Sequence, residues 1–156
     1  MKFLVLFLLV PVLAFSYPLT PNKGQTPGSV CSEKHPDYDE RRYPEQIPHC
    51  NRNVEFETKQ AIYDWYKIPA PERKDYTIDH LIPLSIGGDN DAKNLWPEHR
   101  AVKQTRPHLE EQLHRLVSDG RITQKEAIAR ILKAKFSPKA GEEEFEEDED
   151  DEQAGN

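Results

Sequence analysis

Asp79 and His80 stand side by side in the segment Ile78-Asp79-His80-Leu81-Ile82-Pro83. A carboxylate can hold a hard divalent cation, and an imidazole near its ordinary pKa can take a proton from water. Together they are the smallest set of groups that activates water against a phosphodiester. One geometric condition attaches: neighbours along a strand point to opposite faces, so both groups serve one site only if the backbone turns near Pro83. Taken alone, the dipeptide more often marks a surface Asp beside a half-buried His that caps a turn.

The stretch from Lys93 to Pro107 carries Lys93, Arg100, Lys103 and Arg106 against a single acid, Glu98. Such groups supply the sequence-independent phosphate contacts of nucleic-acid binding, although a solvated helix face has the same composition. Placed just past an Asp-His pair, Arg100, Lys103 and Arg106 read as phosphate contacts.

Several short elements must position these residues. Ala61, Ile62, Trp65 and Tyr66 form one apolar face of a helix over Glu57–Tyr66, which Pro69 and Pro71 end. Tyr76–Ile82 reads as a strand closed by Pro83, and Asn94-Leu95-Trp96 as a second that stops at Pro97, with Gly87-Gly88 between them. Leu109, Leu113, Leu116 and Val117 then mark a helix that Gly120 terminates. Thr123-x-x-Glu126 is a capping box opening a last helix that buries Ala127, Ile128, Ile131 and Leu132. The class is α+β.

The two ends differ from the middle. Met1-Lys2 precedes a thirteen-residue run, Phe3–Phe15, interrupted only by Pro11, and an Ala14-Phe15-Ser16 cleavage pattern. Residues 1–16 are a signal peptide on this reading, too short to span a bilayer, so the mature chain is secreted or periplasmic and leaves no membrane anchor. Glu142 to Glu152 holds ten carboxylates and one Phe, so residues 137–156 read as a disordered acidic tail. The whole chain has a net charge of −7, yet residues 17–140 carry 20 basic and 18 acidic side chains, leaving a mildly basic domain of +2. Its tail would compete weakly with nucleic acid for the cationic segment.

Cys31 and Cys50 follow the export signal, and in an oxidising compartment they favour one disulfide worth about 3 kcal/mol. A zinc site drawing on His35 and His49 is the poorer alternative, because the spacing is neither a finger nor a ribbon. Residues 17–30 form an extended lead-in, and residues 31–53 an irregular arm stapled by the disulfide.

The pattern Asp-His-Leu-Ile-Pro-Leu, Gly-Gly-Asp-Asn, then Asn-Leu-Trp-Pro over residues 79–97 resembles the HNH, or ββα-metal, nucleases. The motif covers about 20 residues. The helical pattern from Leu109-Glu110 through Ile131 is similar to the helical tail of one subset, which extends the likeness to about 60. The resemblance implies a small ββα-metal core with flanking helices and the disulfide-stapled arm, spanning residues 31–136. It implies that His80 is the general base, that Asp79 is a metal ligand, and that Asn94 ties the loop between the strands and orients the imidazole. One divalent ion is implied, Mg²⁺ first, with Mn²⁺, Ni²⁺ and Zn²⁺ as alternatives. The family's usual further ligand, about nine residues past the middle Asn, is replaced by Lys103. His99, Gln104 and His108 are nearby substitutes, with His99 leading; His114, His35 and His49 read as structural.

The expectation is therefore an exported, metal-dependent endonuclease cutting DNA, and RNA as a second substrate, with little sequence preference and assumed monomeric. Two rivals remain open: a non-catalytic nucleic-acid-binding module with an incomplete metal site, and an interaction protein acting through its acidic tail.

Overall fold

A computed structural model describes residues 17–137; the signal-peptide and acidic-tail readings lie outside the described residues, Ser137 excepted. The chain is mixed α+β, with two separate two-stranded antiparallel sheets among short helices. The arm is more regular than its prolines led us to expect: β1 (Tyr38–Arg42) pairs with β2 (Ile47–Cys50) as a hairpin. The turn between them places Tyr43 and Gln46 at positive φ, 65° and 58°. The disulfide between Cys31 and Cys50 is formed, closing 19 residues.

Helix α1 (Phe56–Trp65) follows, and its apolar stripe is half used: Ile62 and Tyr63 are buried while Trp65 stays exposed. A 3-10 turn, Ala70–Asp75, leads into β3 (Tyr76–His80). Strand β3 pairs antiparallel with β4 (Leu95–His99), from Tyr76 opposite His99 to His80 opposite Leu95. Pro97 does not stop β4. The sheet has only two strands, so a proline can sit on the edge without removing a ladder hydrogen bond.

Helix α2 (Arg100–Lys103) begins at once, and α3 (Leu109–Ser118) and α4 (Gln124–Phe136) are the last elements among the described residues. The Thr123–Glu126 capping box is present in both directions, and Gly120 at φ +69° ends α3. Leu109, Leu113 and Val117 of α3 meet Ala127, Ile131 and Ala134 of α4, and this core also takes in Ile82, Ile86 and Ile47 from the arm. Trp96, Leu81 and Val102 form a second cluster beneath the β3–β4 hairpin. The lead-in is threaded rather than loose. Thr26 is fully buried, its hydroxyl donating to the Leu95 carbonyl at 3.0 Å, and Gly28 N–H donates to Lys93 O at 2.9 Å.

Candidate functional site

The loop between β3 and β4 is held by one side chain. Asn94, fully buried, accepts from Ile82 N–H at 2.9 Å and donates to the carbonyls of Ile82 at 3.0 Å and Asp89 at 2.9 Å. It thereby satisfies three backbone groups that the loop buries away from any ladder. Gly88 is fixed for a related reason, since a Cβ there would lie 1.9 Å from the Ile82 carbonyl oxygen. The Gly-Gly pair and the Asn are thus one device for folding the backbone back just after His80.

Strand β3 runs regularly through both Asp79 and His80, so their side chains take opposite faces of the hairpin. The turn comes two residues too late to bring them together.

On the first face, Asp79 accepts from Lys135 Nζ at 3.1 Å on one oxygen and from Lys103 Nζ at 3.2 Å on the other. Lys135, from α4, is 1% exposed and also reaches His80 O at 2.6 Å and Glu110 at 2.7 Å. Burial works against ionisation of Asp79, but the two ammonium groups outweigh it and hold the carboxyl below its usual range. Glu98 shares this face, 1% exposed and in a very short contact with Arg106. Burial and the neighbouring Asp79 carboxylate push Glu98 up to about 7 against the pull of Lys135 and Arg106.

On the second face, His80 is 3% exposed. Its Nε2 lies 3.1 Å from Asn90 Oδ1, and its Nδ1 lies 3.2 Å from an Arg52 guanidinium nitrogen. The Asn90 amide nitrogen donates elsewhere, to Asp37 at 2.8 Å and to Asn51 O at 2.7 Å, so its oxygen must face the imidazole. Nε2 therefore carries the proton and Nδ1 the lone pair. Burial pushes the imidazole below its ordinary pKa, the Asn90 bond pulls the other way, and the Arg52 charge adds to the lowering. The result is a neutral imidazole of fixed tautomer with its basic nitrogen beside a cation.

The other residues singled out in the sequence fall as follows. His99 sits at the far end of the hairpin, opposite Tyr76 and on the face away from Asp79. Its ring stacks on Tyr17 at 4.0 Å, and its Nδ1 accepts from Ala101 N–H at 3.2 Å as the cap of α2. The implied divalent ion does not fit Asp79 and His99, because both Asp79 oxygens are taken by ammonium groups and His99 is elsewhere. Arg106 is buried against Glu98, which removes it from the phosphate-facing surface; Lys103 is half-exposed but bound to Asp79. Arg100 is exposed and pairs with Asp75 at 3.1 Å. Gln104 and His108 lie after and before helices without joining either polar cluster. His114 packs its ring against Tyr43 at 5.8 Å.

Four participants were missed. Arg52 and Asp37 come from the arm and Lys135 from α4, each far along the chain from His80 and in no local pattern with it. Asn90 lay inside the quoted Gly-Gly-Asp-Asn run, where its conjunction with the loop glycines was the available signal. A His/Asp group with metal-ligand spacing does exist, formed by His35, Asp89 and Asp91. No helix among the described residues is long and apolar enough to cross a membrane. No family model, no curated protein and no solved structure matches the chain.

Proposed function

We propose that the chain is an exported phosphodiester hydrolase acting on DNA, and on RNA as a second substrate, with His80 as its general base. The observation that carries this reading is the fixed tautomer of His80, whose unprotonated Nδ1 lies 3.2 Å from the Arg52 guanidinium. A phosphate drawn to Arg52 would bring its attacking water to that nitrogen. Arg52 is exposed while His80 is buried, so release of the guanidinium toward a phosphate also uncovers the base. Asn90 keeps the proton on Nε2, and Asn94 holds the turn that carries Asn90.

The family resemblance at residues 79–97 supports the same assignment for His80 and Asn94. The disulfide fits an oxidising, extracellular or periplasmic setting. The Mg²⁺-class ion that the resemblance implies has no seat at Asp79, and no step is drawn through it there. The non-catalytic nucleic-acid-binding alternative draws on that same closure of Asp79 by Lys103 and Lys135.

One assay separates the two. Supercoiled plasmid incubated with the full chain is expected to be nicked. Arg52→Ala should slow nicking strongly, and Arg52→Lys should restore part of the rate. Binding of plasmid with no cleavage under chelator, Mg²⁺, Mn²⁺ or Zn²⁺ would favour the binding module.

A further inference from the structure

We propose that His35, Asp89 and Asp91 form a divalent-metal site, of the zinc or manganese class, that pins the N-terminal arm to the loop between β3 and β4. One ligand atom from each residue lies within 4.8 Å of the others. His35 Nε2 and Asp91 Oδ1 are 3.7 Å apart, close to the roughly 3.3–3.5 Å between ligands of a tetrahedral ion bound at about 2.0–2.2 Å. Closing the group onto an ion needs side-chain shifts of about an ångström.

The charge balance is the independent argument. Asp89 is 2% exposed, and its partners are the Ser29 hydroxyl at 2.6 Å and Asp91 N–H at 3.1 Å, both on Oδ1. Neither of these contacts brings a counter-charge to the carboxylate. A buried carboxylate without a counter-charge is costly, and such groups are ordinarily paired or bound to a metal. Asp91 is half-exposed, and among the described residues its side chain meets Lys93 at 3.5 Å and the His35 ring at 3.7 Å. Asp37 adds a third carboxylate, 3.7 Å from His35 Nδ1. Three carboxylates thus surround one imidazole with a single surface ammonium against them, and a dication supplies what is missing.

The donor set selects the class of ion. An imidazole nitrogen with two carboxylates suits borderline transition ions better than Ca²⁺, which prefers six or more oxygens, or Mg²⁺, which keeps several waters. Asp91 faces solvent, leaving room for water to complete the coordination. His35 Nδ1 accepts from Asp37 N–H at 3.1 Å, so Nε2 carries the ring proton in the ion-free arrangement. On binding, the proton passes from Nε2 to Nδ1, which gives up the Asp37 N–H bond and, after a small ring rotation, can donate to the Asp37 carboxylate, now 3.7 Å away. A carboxylate behind a ligating histidine is a common metal-site support.

The site joins elements distant in sequence. His35 lies four residues past Cys31, whose backbone N–H docks on Gly87 O at 2.8 Å and whose sulfur is bonded to Cys50. Asn90 sits between the two aspartates, so an ion there would also steady the residue that sets the His80 tautomer. That last consequence rests on the proposed function; the metal site itself does not.

The test is calorimetric titration of Zn²⁺ and Mn²⁺ into the full chain, stripped with chelator, without nucleic acid. One tight equivalent is expected in the wild type. Asp89→Asn and Asp91→Asn should each weaken it at least tenfold, with circular dichroism unchanged, while Asp79→Asn should leave it intact. Asp91 is half-exposed, so its variant folds even if the Asp89 variant does not. Absence of a tight equivalent, unchanged affinity in Asp91→Asn, or loss of binding in Asp79→Asn would overturn the site. None of these outcomes bears on whether His80 cleaves nucleic acid, and loss of cleavage in a His80 variant would not touch the metal reading.

Discussion

Lys135→Met keeps an unbranched side chain of similar length and deletes one buried ammonium. In the wild type that ammonium satisfies Asp79 Oδ2 at 3.1 Å, Glu110 at 2.7 Å and the His80 carbonyl at 2.6 Å. Removing one partner of a buried pair costs about 3–5 kcal/mol, because the other charge is left in a poorly solvated place. Lys103 still holds the second Asp79 oxygen, and Glu110 is partly exposed, which places the expectation near 3 kcal/mol. The pH dependence follows from the direction of the shift. In the wild type the Asp79 pKa lies below its ordinary 3.8, so its stabilisation is present above that value and is lost as pH falls through the lower folded one. In the variant, burial still raises the Asp79 pKa with only Lys103 and the Glu98 hydrogen bond left to lower it, so Asp79 takes up its proton at higher pH than in the wild type, and protonation there relieves the uncompensated charge. The deficit should therefore be largest at pH 7 and shrink towards pH 4.5. Urea unfolding followed by circular dichroism at the two pH values measures it. A deficit under about 1 kcal/mol at pH 7, or one independent of pH, would refute the account of this network.

Other outcomes are equally specific. Glu98, raised to about 7 from an ordinary 4.5, keeps its proton in the folded state after the unfolded chain has released it, so wild-type stability should fall as pH rises from about 4.5 to 7 and level off above; urea midpoints across that range check it. Asn94→Ala strands the Ile82 and Asp89 backbone groups and should cost about 3 kcal/mol or more by the same unfolding assay. Reduction of Cys31–Cys50 should destabilise the chain by about 3 kcal/mol and speed proteolysis near residues 31–53, read by melting temperature and peptide mapping.

Much of the helical framework was legible because its signals are local. The 3.6-residue spacing of Leu109, Leu113, Leu116 and Val117, the glycine after it and the Thr123–Glu126 box each act within one or two turns of chain. The loop device was anticipated through the resemblance over residues 79–97, which implied that Asn94 ties the loop between the strands. The arm hairpin was not. Its strands hold charged residues, one proline, Pro48, and one buried isoleucine, Ile47, and they are fixed by the disulfide and by packing on distant helices. The surroundings of Asp79 were hidden for a similar reason: Lys135 looks like an ordinary cation near the end of α4, and only the α3–α4 pairing drives it under the hairpin. Sequence spacing placed Asp79 and His80 together. The strand pleat separated them, as the regular pairing of β3 requires.

The most direct test of the central claim is the single-turnover rate of oligonucleotide cleavage by wild type and His80→Ala, with circular dichroism and binding affinity measured on both. A neutral imidazole acting on water predicts a loss of about 10²–10⁴-fold with fold and affinity unchanged. It also predicts a wild-type rate that rises with pH and is half-maximal below 6.5, because burial lowers the pKa of the base. Cleavage by His80→Ala within about tenfold of wild type, or a wild-type rate that falls as pH is raised through this range, would contradict the assignment.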